Sequence, residues 1–372
     1  MLKVLISFGT RPEAIKMAPV ISSLKNDCRF DVRVIVTAQH REMLDQVLDV
    51  FNIKPDYDLN LMSNNQTLNG LSARILASMD CIYDEFHPNI VLVHGDTLSA
   101  FIVALSAFYK NIQVGHVEAG LRTYNLSSPW PEEGNRQLIS KIANLHFSPT
   151  IGAQYNLLNE GVNKDTIHVT GNTIIDSLMS VVNKKLPFPK DYNGNEFILN
   201  ERRKILITGH RRENFGNNFI NICSALRELS QLHQDIDFIY PVHMNPNVKK
   251  VVEQHLASIE NVYLLPPQSY LEFVHLMKVS YLILTDSGGI QEEAPSLNIP
   301  VLVMRDTTER QEAIESGTVK LVGTTQESIY YWVNELLRNQ TLYKEMANST
   351  NPFGNGQSSS IIKNILIKRF IN

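Results

Sequence analysis

Long apolar runs are missing from this chain. The longest, Phe101 to Tyr109, falls well short of the ~20 residues a membrane-spanning helix needs. Met1 leads directly into a strand-like Leu2–Phe8, with no basic-then-apolar leader, so the cytoplasm is the expected compartment. Cysteine is scarce as well. Cys28, Cys81 and Cys223 are odd in number and far apart, which excludes a disulfide framework; they read as reduced, mostly buried thiols. No His, Asp or Glu falls at H-x-x-x-H or a comparable ligand spacing, so no metal is expected. No G-x-G-x-x-G fingerprint follows the first strand, which leaves NAD poorly supported, and no cofactor is expected. A formal net charge of −4 leaves no basic excess for nucleic acid or an anionic membrane.

What is present is a globular composition: 372 residues, 43% hydrophobic and 19% charged, too long for one core of ordinary size. Short apolar runs alternate with helix-length amphipathic stretches. The strand candidates are Lys3–Ser7, Val32–Thr37, Ile90–His94, Gln113–Glu118 and Leu145–Ser148, then Ile205–Gly209, Phe238–His243, Val262–Leu265, Tyr281–Thr285, Val301–Met304 and Val319–Val322. Continuous rather than alternating runs suit parallel strands covered on both faces. The rhythm predicts two doubly wound, Rossmann-like α/β domains with ligands near the carboxyl ends of their strands. The expected boundaries are residues 1–183, a linker rich in Pro, Gly and charge at 184–203, a second domain at 204–355, and a terminal segment 356–372 whose helix spans Ser358–Phe370.

Polar residues gather where the strands end. Thr285-Asp286-Ser287-Gly288-Gly289-Ile290-Gln291-Glu292-Glu293 joins a buried strand to a helix, with Ser287 as N-cap and two glycines that let a ligand reach the backbone. An ordinary strand-to-helix turn has the same look. Glu292 and Glu293 favour a phosphate site, because a carboxylate behind the phosphates can accept both ribose hydroxyls. After the first strand, Gly9 allows a tight turn, Pro12 suits a first helical turn, Glu13 sits on the favourable side of the dipole, and Arg11 and Lys16 read as anion contacts rather than solvated cations. His94-Gly95-Asp96-Thr97 and His116-Val117-Glu118 each bring a carboxylate to a strand end, while Glu132, Glu133 and Arg136 open a helix. Asp96 suits an N-cap as well as chemistry, and one of Glu132 and Glu133 is accounted for by the dipole alone. Three such ends in one half still exceed what capping demands, which points to acid/base chemistry. In the second half, His210-Arg211-Arg212-Glu213-Asn214 has the charge to neutralise a diphosphate, and also the look of a charged surface turn. His243, His146 and His168 read as structural, and Arg305 to Arg310 lies near the glycine pair.

Six motifs in order carry a resemblance. Gly9–Lys16, His116–Arg122, Pro131–Glu133, Gly171–Thr173, His210–Asn214 and Asp286–Glu293 together resemble the non-hydrolysing UDP-N-acetylglucosamine 2-epimerases, from the first strand to about Glu312. Gln311 stands where relatives often have proline, and Leu98 where a second threonine is common; neither touches a charged group assigned to chemistry. The resemblance implies a glycosyltransferase-B-like fold with the UDP-sugar in the interdomain cleft, a C-terminal helix returning to the first domain, and a homodimer; the split of functional residues between the two halves predicts domain closure on the ligand. It implies reversible inversion at C2 between UDP-GlcNAc and UDP-ManNAc, by loss of UDP to 2-acetamidoglucal and its re-addition, feeding surface polysaccharide. By resemblance Asp96, Glu118 and Glu132 carry the acid/base work, with the face each serves unassigned. Lys16, His210, Arg11 and Arg136 would hold the diphosphate or orient the sugar. Ser287, Gly288 and Gly289 would hold phosphate, Glu293 the ribose, and Phe273 the uracil, unless Phe273 is a plain core aromatic. Gln39, His40, Gln66 and Arg74 lie in stretches that would line a second, activating UDP-GlcNAc site. The competing readings are a hydrolysing epimerase releasing UDP and ManNAc, and a UDP-sugar-binding regulator. Hydrolysing relatives carry alanine and an aromatic where this chain has Pro12-Glu13-Ala14, and a regulator would not need the intact carboxylate set.

Overall fold

The β-branched and leucine-rich runs form strands buried on both faces, as continuous apolar sequence requires. The structure, a computed structural model, describes residues 1–37, 41–61 and 67–372. Two compact units emerge, one built from residues 1–180 with 353–372 and the other from 181–352.

In the first unit, described strands β1 (Leu2–Phe8), β2 (Phe30–Val36), β3 (Tyr57–Asp58), β4 (Ile90–His94), β5 (Gln113–Val117), β6 (Leu145–Ser148) and β7 (Ile167–Val169) make one sheet in the order β3-β2-β1-β4-β5-β6-β7. Every pairing is parallel. Leu5, Ile35, Val91 and Val93 pack against Ile75, Met79 and Val103 of the covering helices. The strand order reverses between β1 and β4, and a crevice opens outside the carboxyl ends of the strands at such a switch point. Arg11 and Lys16 lie on the helix that follows β1 and Asp96 in the turn after β4, so the topology brings these groups to the carboxyl ends of adjacent strands.

The helix Ser358–Phe370 belongs to this unit. Its first amides have no intrahelical partner, and buried Asp176 satisfies two of them. That carboxylate accepts from the Ser358 amide at 3.1 Å, the Ser359 amide at 2.8 Å and the Ser359 hydroxyl at 2.7 Å.

In the second unit, β8 (Arg203–Thr208), β9 (Ile236–Pro241), β10 (Val262–Leu265), β11 (Leu282–Thr285), β12 (Val301–Val303) and β13 (Val319–Leu321) form a parallel sheet in the order β10-β9-β8-β11-β12-β13. Its switch point lies between β8 and β11, whose following turns are 209–214 and 286–293. Each unit therefore places its polar motifs at its own switch point.

Three expectations change. The 184–203 stretch lies inside the second unit, where Gln268 accepts from the Lys190 amide at 2.8 Å and donates to the Lys190 carbonyl at 3.0 Å. The edge strands β3 and β7 were not foreseen, since two or three residues carry no readable periodicity. Of the cysteines only Cys223 is buried; Cys28 and Cys81 are exposed.

Candidate active site

The turn after β1 is organised by Glu13. Its Oε2 accepts from the Gly9 amide at 3.0 Å, the Thr10 amide at 2.8 Å and the Thr10 hydroxyl at 2.8 Å, closing a capping box with N-cap Thr10. Its Oε1 accepts from the Thr97 hydroxyl at 2.8 Å, tying the β1 turn to the β4 turn. Burial pushes this carboxyl up to about 7, although the four hydrogen bonds oppose the shift. Glycine is required at position 9, because a Cβ there would lie 2.3 Å from Thr37 Oγ1 and 2.8 Å from Ser99 Oγ. Arg11 and Lys16 are half-buried on the helix Arg11–Lys25 that follows.

Glu118 follows β5 in the left-handed backbone region, at φ 64°, which disfavours a side chain of its size. Strain of this kind persists where surrounding contacts over-determine it, and it concentrates at functional sites. Here Glu118 Oε2 pairs with the Lys16 ammonium and accepts from Asn172 Nδ2 at 2.8 Å. Asn172 is itself held by its amide, which donates to the Phe353 carbonyl at 2.7 Å. The buried His94 ring lies behind, with Nε2 3.7 Å from Glu118 Oε2.

Asp96 pairs with the Arg136 guanidinium, and Asn135 Nδ2 donates to its carbonyl at 2.9 Å. Burial pushes the Asp96 carboxyl up and Arg136 opposes that; the neighbouring charges of Glu118 and Glu132 push it further up. Glu118 and Glu132 are thus both within electrostatic reach of Asp96 in one unit. Glu132 is half-buried at the first position of the helix Glu132–Ile142. Glu133 is fully buried and accepts from the Thr123 amide at 3.0 Å, the Tyr124 amide at 3.1 Å and Gln137 Nε2 at 2.8 Å. Burial acts to raise the Glu133 carboxyl, but these donors and Arg136 hold it below the usual range. Glu133 therefore anchors the preceding loop. His116 is structural: its buried Nε2 donates to the Gly95 carbonyl at 2.7 Å.

In the second unit the organiser is Asp286, which is wholly buried. Its Oδ2 accepts from the His210 amide at 2.9 Å, the Arg211 amide at 2.8 Å and Asn214 Nδ2 at 3.2 Å. The exposed His210 ring stacks on His243, with centroids 5.2 Å apart, and its Nδ1 lies 3.6 Å from Asp286 Oδ1. Burial lowers the His210 pKa, Asp286 counters it, and His243 and Arg211 lower it again.

Ser287 occupies the N-cap position, but its hydroxyl makes no capping bond; its amide donates instead to Thr285 Oγ1 at 2.9 Å. The helix it opens, Gly288–Glu293, is only six residues long before it tightens into a 3₁₀ turn at Ala294–Leu297. A Cβ at Gly288 would lie 2.6 Å from the Arg310 guanidinium carbon, so a larger residue there would displace that side chain. Arg310 in turn binds buried Glu292, with Nε at 3.0 Å and a terminal nitrogen at 2.8 Å. Glu293, the next residue, is also buried. Burial raises the Glu309 carboxyl, yet Arg310, Arg305 and Arg211 bring it down to about 2.

Phe273 sits half-buried in the first turns of the helix Tyr270–Val279, outside the buried core. Arg74 lies on the helix Leu68–Phe86 and donates to the Leu61 carbonyl at 3.3 Å. Gln39, His40 and Gln66 fall outside the described residues. Among the described residues no three His, Cys, Asp or Glu side chains converge as metal ligands, and no helix is long and apolar enough to cross a membrane. Four organising positions were not among the expected site residues: Glu13, His94, Asn172 and Asp286. Each has at least one partner distant in sequence.

Comparison with known proteins gives this geometry a family. The family model for UDP-N-acetylglucosamine 2-epimerase matches residues 22–367. The chain belongs to the UDP-N-acetylglucosamine 2-epimerase family. It is 53% identical to the UDP-N-acetylglucosamine 2-epimerase of Campylobacter jejuni, over 98% of this chain and 97% of that one. Identity is also 53% to the Escherichia coli K12 enzyme of the same name, over 97% of each. Among solved structures, a Neisseria meningitidis UDP-GlcNAc 2-epimerase bound to UDP-GlcNAc superposes with a TM-score of 0.88 at 49% identity, covering 99% of this chain and all of that one. An S. aureus relative solved with UDP gives 0.87 at 44% identity, covering all of this chain and 97% of the other. The two parallel-sheet units are thus those of the glycosyltransferase-B-like 2-epimerases.

Proposed function

We propose that this protein interconverts UDP-GlcNAc and UDP-ManNAc by inversion at C2 without net hydrolysis. The observation that carries the proposal is the convergence of Asp96, Glu118 and Glu132 with Lys16 and Arg136 at one switch point, in a chain 53% identical along nearly its full length to a 2-epimerase. The C2 proton of the sugar has no adjacent carbonyl to acidify it. Its removal is coupled to departure of UDP from C1, leaving 2-acetamidoglucal, and re-addition of UDP accompanies protonation from the opposite face. That sequence needs proton acceptors and donors around the ring and cations for the departing diphosphate.

In this reading the first unit supplies the acid/base groups, with Lys16 paired to Glu118 and Arg136 to Asp96. The second unit holds UDP through the 209–214 turn, the Ser287-Gly288-Gly289 backbone, Glu293 and Phe273. The non-hydrolysing outcome is supported by Glu13, whose four hydrogen bonds shape the Gly9–Lys16 turn in a way an aromatic residue there would not reproduce. A cytoplasmic homodimer supplying ManNAc-type sugars for surface polysaccharide, and activation by a second UDP-GlcNAc near Arg74, complete the proposal.

Incubation with UDP-GlcNAc followed by anion-exchange separation of products tests it. UDP-ManNAc should accumulate to an equilibrium mixture while total UDP-sugar is conserved. Steady release of free ManNAc with equimolar UDP would replace this reading by the hydrolysing one.

A further inference from the structure

His94 and Glu118 come from neighbouring strands. His94 pairs with Val117 across β4 and β5, so the imidazole stands beside the carboxylate of the next residue. His94 is 3% exposed, and among the described residues neither of its ring nitrogens has a hydrogen-bond partner. Buried polar groups are almost always hydrogen-bonded, so an orphaned imidazole next to a reactive carboxylate calls for a reason. An ionised carboxylate only accepts, and here Oε2 already accepts from Asn172 and pairs with Lys16. A bare imidazole nitrogen has nothing to receive from it. Once a proton arrives, the carboxyl acquires an O–H donor, and His94 Nε2, at 3.7 Å, needs to close by only ~1 Å to accept it.

We infer that His94 is a positioning residue that accepts the hydrogen bond of proton-loaded Glu118, and thereby sets how readily that carboxylate takes and returns the C2 proton. The inference rests on Glu118 acting as an acid/base group in the proposed reaction. The proton travels from C2 to a Glu118 oxygen as the C2 electron pair expels UDP. The resulting O–H points at Nε2 without transferring, and the return step reverses this. Burial, with Lys16 adding to it and Glu118 opposing, holds the imidazole down at about 4, which keeps it an acceptor in neutral solution. The other charged or titratable groups around the pair are Lys16 on the helix Arg11–Lys25, Asp96 after β4, His116 on β5, and Glu132 and Arg136 on the helix Glu132–Ile142.

The sign follows. An acceptor for protonated Glu118 raises its pKa, so removing the acceptor moves the acidic limb of the rate profile to lower pH and weakens the base. The test measures deuterium uptake at C2 of UDP-GlcNAc against pH for the whole enzyme and for His94→Phe, His94→Gln and Glu118→Gln. Phe should lower the exchange kcat by about tenfold or more with KM unchanged and the limb shifted down. Gln, which keeps an acceptor oxygen, should restore most of the rate and the limb position. If Phe does not fold, His94→Met supplies the non-accepting side chain. An unmoved limb in the non-accepting variant, or equal losses in Phe and Gln, overturns the role of His94. Persistent exchange in Glu118→Gln would instead overturn the reading of Glu118 itself.

Discussion

Replacing Asp286 with alanine should cost the second unit roughly 3–5 kcal/mol. The figure follows from what the carboxylate holds. Its Oδ2 accepts two backbone amides, from His210 at 2.9 Å and Arg211 at 2.8 Å, and one side-chain amide, Asn214 at 3.2 Å. Hydrogen bonds to a charged group contribute about 1.5–3 kcal/mol each, and a buried donor left alone costs about 1–3. Asn214 keeps its bond to the Met304 carbonyl at 3.2 Å, so the loss falls on the two backbone amides. Asp286→Asn retains an oxygen for the donors and loses only the charge, at about 1–2 kcal/mol. Both variants also remove the charge that supports protonation of His210, so its imidazole should titrate at lower pH than in the parent. Urea unfolding gives the stability difference, NMR titration follows the imidazole, and calorimetry with UDP reports the turn's binding role. Alanine and parent unfolding at the same urea concentration, with equal UDP affinity, would refute the role given to Asp286. Equal losses in Asn and Ala would show that charge, rather than the three hydrogen bonds, is what matters.

Other perturbations have equally definite outcomes. Glu13 sits at about 7 in the folded protein against an ordinary 4.5, so the unfolded chain loses this proton first as pH rises. Its contribution is therefore fully present below pH 4.5 and is lost as pH climbs through 7, a change of roughly 3 kcal/mol. Glu13→Gln should flatten that slope when unfolding free energies of parent and variant are compared between pH 4.5 and 7.5; parallel slopes would contradict the burial argument. Gly288→Ala should push Arg310 off Glu292 and weaken UDP binding about tenfold, roughly 1.4 kcal/mol by calorimetry. Unchanged affinity would place the phosphate elsewhere. Asp176→Ala should leave the opening amides of the helix Ser358–Phe370 unsatisfied, costing about 2–4 kcal/mol and speeding hydrogen exchange across residues 358–370. Unaltered exchange there would mean that other contacts hold the helix.

Much of the architecture was legible because buried parallel strands write themselves as unbroken apolar runs. Ile90–His94, Leu145–Ser148 and Val262–Leu265 have the ends read from the chain, and Ser358–Phe370 is a helix over its whole expected span. The edge strands Tyr57–Asp58 and Ile167–Val169 are shorter than any period, and only their neighbours define them. The candidate site was legible as residue type at strand ends, and its contacts were illegible wherever the partner came from afar. Glu13 looked like a helix-dipole acid, but its Thr97 contact spans 84 positions. Asn172 gave no local sign of gripping Glu118, 54 residues earlier. Dipole reasoning allowed one of Glu132 and Glu133 to be structural. The amides of Thr123 and Tyr124 identify it as Glu133, and only the folded loop brings them there. Ser287 was placed correctly at a helix start, but only the folded turn shows that its hydroxyl makes no capping bond.

Proton NMR of UDP-GlcNAc incubated with the enzyme in deuterated water tests the proposed non-hydrolysing inversion, with proton exchange at C2, most directly. Deuterium should replace the C2 hydrogen in both UDP-GlcNAc and UDP-ManNAc, with no stoichiometric build-up of free UDP. Formation of UDP-ManNAc that keeps its original C2 hydrogen, or free ManNAc as the sole product, would contradict it.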